Sequence, residues 1–230
     1  KLRPTSFGIA LIKKWVSGVP VILDIDDWEL GFLYHSGFLG KVGRFLNFSN
    51  PNGLPYTWFM ERFTGLADSI VVSNRFLQDK FSGSLVYHCR DTFILNPDKF
   101  DSYSIKTKLG LKGKRVVMFL GTPRAHKGME ELFMAIEKIK DQSIRLVLIG
   151  ADPSIQSYID KMQSNQDRVV VFPKIPFKDL PQHLSAADIL VIPQRDTTDT
   201  QGQIPAKLFD AMSMAKPIIT TPLSDIEEVL

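Results

Sequence analysis

The chain has 230 residues, 44% hydrophobic and 23% charged, and 28 Lys and Arg against 25 Asp and Glu leave a net charge of +3. This ordinary globular usage excludes a disordered, collagen-like or disulfide-stapled chain, and the charge balance, with no basic block, argues against a nucleic-acid partner. The single cysteine, Cys89, can form no internal disulfide, which suits a reducing, cytoplasmic compartment.

No segment reads as a membrane span. The longest uncharged run, between Arg44 and Glu61, is broken by Pro51 and Pro55. Residues 1–20 lack the pattern of a signal peptide, and Asn47-Phe48-Ser49, a sequon match, reads as surface loop. The apolar, β-rich run Val19–Leu23 predicts a buried strand, with Asp24, Asp26 and Asp27 at its carboxyl end. Residues 28–55, rich in Gly, Phe and Asn, have no clear period and predict a long loop. A helix over 56–67, a strand over 69–72, a helix over 74–81 capped by Ser73, and a short strand over 85–87 follow. Polar residues 98–114 predict a boundary between two domains, 1–105 and 106–230.

The second half is more regular. Strands are predicted over 115–120, 145–149, 169–172, 189–192 and 217–220, and helices over 128–140, 155–162, 180–187 and 205–214. The strands are unbroken apolar runs, as in a parallel sheet covered on both faces. With right-handed crossovers the fold class is α/β, a doubly wound parallel sheet in each domain, the first less complete.

Three segments carry candidate chemistry. Gly121-Thr122-Pro123-Arg124-Ala125-His126-Lys127-Gly128 joins a strand to a helix start, where glycine lets backbone approach an anion and Arg124 and Lys127 neutralise it. Its spacing matches neither the Walker nor the dinucleotide-binding glycine pattern. In Gln201-Gly202-Gln203-Ile204-Pro205-Ala206-Lys207-Leu208-Phe209-Asp210, the amides of Gly202, Gln203 and Ile204 offer a second anion cradle. Lys207 and Asp210 share a helix face there, and Asp210 suits a ribose hydroxyl. The cluster Asp24-Ile25-Asp26-Asp27 leaves three readings open: a metal clamp, the nucleophile loop of a haloacid-dehalogenase-like phosphatase, or an acidic loop facing a cleft.

Taken together the segments resemble a GT-B glycosyltransferase of the retaining family four type. Gly121 to Gly128 is similar to that family's diphosphate-gripping Gly-Arg…Lys-Gly loop. Ala187-Asp188 to Pro193 and Ile204-Pro205-Ala206-Lys207 to Pro217 are similar to two of its further elements, as are Ala67-Asp68 to Ser73 and His88-Cys89-Arg90-Asp91 with Asn96-Pro97 in the first half. The resemblance implies transfer of a sugar from a UDP-, GDP- or ADP-linked donor to an acceptor hydroxyl with retention, and no metal or other cofactor. Gly121, Thr122, Arg124, Lys127, Gly202, Gln203, Ile204, Lys207 and Asp210 would bind the donor. Lys127, Arg124, Asp210, Asp26 and Asp27 would serve catalysis. The acceptor would be a sugar, a lipid-linked molecule or another small molecule. The aromatic-rich stretch Trp28 to Phe63 leaves two readings open, core packing, which is favoured, and a lipid-facing patch giving peripheral contact at the inner membrane surface. Three departures stand out: the family's paired acids fall on Gly202 and Asp210, its Arg on Thr122, and its acidic-loop His on Asp26. The resemblance also implies a fragment, short of the first domain's initial strands and the second domain's final strand and helix. The alternatives are a phosphatase using Asp24 and Asp26, or a nucleotide-sugar binder with weak turnover.

Overall fold

The computed structural model describes residues 1–33, 38–162 and 165–230. The chain divides into two compact units. Unit 1 is Lys1–His88 with Asp196–Ile204 and Pro222–Leu230, and unit 2 is Cys89–Arg195 with Pro205–Thr221. The division falls at His88/Cys89, not within 98–114. The polar stretch folds instead of linking: the Asp101 carboxylate accepts from the amides of Tyr103 and Ser104, capping a helix Ser102–Lys108 whose Ile105 is buried.

Unit 1 holds a parallel sheet in the order β1 (Ile22–Ile25), β2 (Ser69–Val72), β3 (Ser84–Leu85). Leu23, Ile25 and Val72 pack with Leu2, Phe7, Met60, Leu77 and Phe81. The expected long loop over 28–55 is in part helical, with helices Glu29–Leu33, Phe38–Phe45 and Leu54–Glu61; positions 34–37 of it lie outside the described residues. Pro55 sits in the first turn of the last of these, where its missing N–H costs nothing. The helix Arg75–Phe81 is capped by Asn74, which accepts from the Leu77 amide at 2.8 Å, while the expected cap Ser73 donates to the Asp26 carbonyl at 2.7 Å. A helix Ile9–Ser17, not anticipated from the sequence, exposes Ile9, Ile12, Trp15 and Val16.

Unit 2 is built on five parallel strands, β4 (Arg115–Leu120), β5 (Ile144–Ile149), β6 (Val169–Phe172), β7 (Ile189–Ile192) and β8 (Ile218–Thr220), in the order β6-β5-β4-β7-β8. The strand order reverses between β4 and β7, and in an open α/β sheet the crevice at the strand carboxyl ends there is where ligands bind. Phe119, Leu146, Leu148 and Val191 bury one sheet face against Met129, Leu132, Phe133 and Ile136 of the helix Met129–Lys138. No helix among the described residues is long and apolar enough to cross a membrane.

One charged residue belongs to this core. Arg168, fully buried, donates to the carbonyls of Ile136, Ile139, Asp141 and Ile144 at 2.8–3.3 Å, closing the end of the helix Met129–Lys138 and the turn into β5. Without it the Ile136 carbonyl, whose bond to Arg168 is buried, would lose that partner. Arg168→Met is expected to lower unfolding free energy by roughly 2–4 kcal/mol. Arg168→Lys should recover little of this in urea denaturation, because a compact ammonium cannot span carbonyls that a guanidinium fork reaches.

Candidate functional site

The reversal point of unit 2 is floored by glycine. Gly121, directly after β4, has φ +104°, and Gly150, after β5, has φ +84°; a Cβ on Gly150 would stand 3.5 Å from the Gly121 Cα. Both positions favour glycine on backbone conformation, and together they leave the strand ends open to a ligand. The turn that follows β4 ends at Gly128, φ +64°, where a Cβ would lie 1.7 Å from the Pro193 carbonyl oxygen beyond β7.

Two ammonium groups converge beside Gly121. Lys127 donates to the Thr122 carbonyl at 2.9 Å, and its Nζ lies 3.7 Å from where a Gly121 Cβ would be. Lys207, from the helix Ala206–Ser213, donates to the Leu120 carbonyl at 3.2 Å and stands 4.2 Å over the Phe119 ring. Lys207 is half-buried as a residue, but its ammonium end rests on Phe119, which is wholly enclosed. Burial therefore pushes the Lys207 pKa down to about 7, and the charge on Lys127 adds to the effect. Burial lowers the Lys127 pKa as well, reinforced by Arg124. Among the described residues neither ammonium meets a carboxylate. Each carries three donors and spends one on a carbonyl, so the remaining donors are available to an anion.

The other predicted residues fall into distinct surroundings. Arg124 is exposed and donates to Pro123 O at 3.2 Å and to the Asp152 carboxylate at 3.4 Å. Asp210, on the same helix as Lys207, is buried, and its Oδ1 accepts from Arg90 Nε. Arg90 lies in the His88-Cys89-Arg90-Asp91 segment that resembles a family element, but it was absent from the expected site, because the partner that gives it a role stands 120 positions away.

Gly202, Gln203 and Ile204 belong to unit 1, not to the donor-side helix start. The amides of Gly202 and Gln203 both turn back to the Thr200 carbonyl. The Trp28 amide donates to the Gly202 carbonyl at 3.2 Å, and the Gln203 side chain donates to Asp27 Oδ1 at 2.6 Å. Burial raises the Asp27 pKa despite that hydrogen bond. A Cβ on Gly202 would come 2.7 Å from Trp28 Cβ and 3.2 Å from the Phe76 ring, so the position that carries an acid in the resembled motif has no room for one here. Asp24 is exposed on β1, and the Asp26 carbonyl is held by Ser73. Among the described residues no group of three or more His, Cys, Asp and Glu is placed to hold a metal ion.

Residues 114–230 match the family model described as glycosyl transferases group 1. Among curated proteins, spore coat protein SA of Bacillus subtilis is 25% identical over 154 residues, 63% of this chain and 39% of that protein. A probable glycosyltransferase, WbjE of Pseudomonas aeruginosa, is 27% identical over 109 residues, 47% of this chain and 27% of that protein. Among solved structures, Anabaena Alr3699/HepE in complex with UDP-glucose superposes with a TM-score of 0.73 at 15% identity, covering 98% of this chain and 60% of that one. Sucrose-phosphate synthase of Thermosynechococcus elongatus gives 0.63 at 19% identity, over 97% and 60%. The chain thus spans about two fifths or less of the curated relatives' length and about three fifths of these structures. The likeness to solved structures shows the GT-B fold.

The buried ammonium of Lys207 sets a stability prediction. In the unfolded chain Lys207 keeps its proton to about 10.5, but in the fold only to about 7, so its burial opposes folding fully below pH 7 and progressively less above it. Lys207→Met is expected to stabilise the ligand-free protein by up to about 4 kcal/mol at pH 6–7. In thermal melts across pH, the gain should shrink as the pH rises toward 10.

Proposed function

This chain belongs to the glycosyl transferases group 1, and we propose that its unit 2 holds the diphosphate of a nucleotide-sugar donor whose sugar the whole protein transfers to an acceptor hydroxyl. The observation that carries this reading is the pair Lys127 and Lys207, two half-buried lysines without carboxylate partners among the described residues, converging on a glycine floor at the point where the strand order reverses. Isolated buried cations are costly, and an arriving dianion offsets that cost. When the glycosidic bond breaks, negative charge grows on the departing diphosphate, and pre-set ammonium donors stabilise it more than they stabilise the bound donor. Arg124, already beside this loop, adds positive charge from the exposed side. Asp210 accepts from the ribose on the same helix that presents Lys207. Two cations in place make a divalent ion unnecessary for binding the diphosphate.

UDP is the favoured nucleotide, on the likeness in fold to the protein solved with UDP-glucose. Transfer with retention, Asp26 and Asp27 as groups serving the sugar or acceptor, and a lipid-linked or sugar acceptor rest on the family resemblance alone. Calorimetric titration with UDP, GDP and ADP tests the site. Lys127→Ala is expected to weaken binding of the preferred nucleoside diphosphate by roughly 1.5–3 kcal/mol, the scale of a charge-assisted hydrogen bond. EDTA should leave the wild-type affinity unchanged. No binding of any of the three, or an unaltered affinity in Lys127→Ala, overturns the reading.

The closed space at Gly202 favours a second reading, a nucleotide-sugar binder with little turnover, because no acid can stand there. Release of UDP from UDP-glucose with and without candidate acceptors separates the two readings: binding without release favours the second.

A further inference from the structure

The Asp210 side chain keeps 10% of its surface open, and one guanidinium fixes how it lies. Arg90 donates through Nε to Asp210 Oδ1, through Nη2 to the Ala206 carbonyl at 3.0 Å, and through Nη1 to the Cys89 carbonyl at 2.9 Å. Ala206 and Asp210 are four residues apart on one helix, so the planar fork spans one turn and is held at both ends. All three nitrogens of Arg90 are engaged, which leaves it a single orientation. Among the described residues Asp210 Oδ2 accepts no hydrogen bond. Arg90 is also the second residue of unit 2, at the point where the chain arrives from unit 1.

We propose that Arg90 is a positioning residue of the donor site: by fixing Asp210 Oδ1 it presents Oδ2 to the ribose hydroxyls of a bound nucleoside diphosphate. The assignment rests on the donor reading given above. It separates two tasks within one site. Lys127 and Lys207 hold the diphosphate whatever is attached to it, and the Arg90–Asp210 pair checks that the attached sugar is a ribose. A carboxylate free to rotate would meet hydroxyls in several poses and lose rotamer entropy on binding; one already held by a two-ended fork does not.

Calorimetry on the full chain with UDP, 2′,3′-dideoxy-UDP and inorganic pyrophosphate tests this in the wild type, Arg90→Met and Arg90→Lys. The wild type should prefer UDP over the dideoxy compound about tenfold or more, the worth of a hydrogen bond to a charged group. In Arg90→Met that preference should fall to about twofold or less while pyrophosphate affinity stays within about twofold of wild type. A merely structural role would weaken all three ligands together. Arg90→Lys keeps the charge without the fork and should restore part of the preference; if Arg90→Met does not fold, the lysine variant decides, with a loss of at least about threefold in preference expected. A wild-type preference retained in the folded variant overturns the proposal and leaves the diphosphate site standing. A wild type that binds pyrophosphate and UDP without ribose preference also overturns it. A wild type that binds neither removes the donor reading itself.

Discussion

The crossing of Gly128 over Pro193 is the tightest constraint in unit 2. β4 and β7 are neighbours, paired at Val117 with Ile189 and Met118 with Leu190. Beyond their carboxyl ends the two chains must part, and the turn after β4 passes so close to the end of β7 that no side chain fits at residue 128. The turn is held elsewhere too: the Gly121 amide donates to Ile149 O at 2.8 Å, and the Arg195 amide donates to His126 O at 2.8 Å. Arg195 further pairs with Glu130 and Glu131 in the first turn of the next helix. Lys127 therefore rises from backbone fixed at each end, and a site whose support is fixed before the ligand arrives loses little entropy on binding it.

That rigidity has an energetic counterpart. An ammonium set over an aromatic ring beneath a strand end is poorly solvated, and the Phe119 face and the Leu120 carbonyl offset only part of the loss. A structural lysine in such a place would be expected to find a carboxylate. Asp210, three residues further along the same helix, is the obvious candidate, and Arg90 occupies it instead. The arrangement leaves the positive charge of Lys207 uncompensated and pairs the negative charge of Asp210 with Arg90. Under the donor reading, stability is given up at the lysine that would meet an anion and recovered at the carboxylate that would meet the ribose.

How far this was legible in the sequence follows from where each signal resides. All five strands of unit 2 could be read because residues such as Val116, Met118, Leu146, Leu148 and Leu190 are buried in unbroken apolar runs that no loop would tolerate. Lys127 and Lys207 could be paired because the parallel order brings both loops to the same sheet end. The helix Ile9–Ser17 was missed although its apolar residues recur at helical spacing; most of them, Trp15 at 89% among them, are exposed, and only Leu11 reaches the core. The helix Ser102–Lys108 was hidden by a polar composition that owes its helicity to the Asp101 cap. Arg90 stood within the segment His88-Cys89-Arg90-Asp91, but its task at Asp210 could not be read, since that partner is 120 positions away in sequence.

The stretch 201–210 shows how a motif can read as continuous and yet serve two bodies. The chain passes from unit 1 to unit 2 between Ile204 and Pro205. Before that point the segment behaves as part of the acidic loop: residues 27 and 203 form an antiparallel bridge, Trp28 binds the Gly202 carbonyl, and Gln203 satisfies Asp27. After it, Lys207 and Asp210 are placed by unit 2 alone. The absence of the first paired acid is then a packing result. Trp28 lies against Phe76, with ring centroids 5.5 Å apart and planes tilted by 50°, and the two residues fill the space that a side chain at residue 202 would need. The clash at 202 is with the Trp28 Cβ, an atom every residue but glycine carries, and with the Phe76 ring, so a carboxylate at 202 would require the backbone at residues 28 and 202 to move apart. Whatever catalytic work an acid at that position does in the resembled motif must here fall to other groups or go undone, which is why turnover and binding have to be measured separately in this protein.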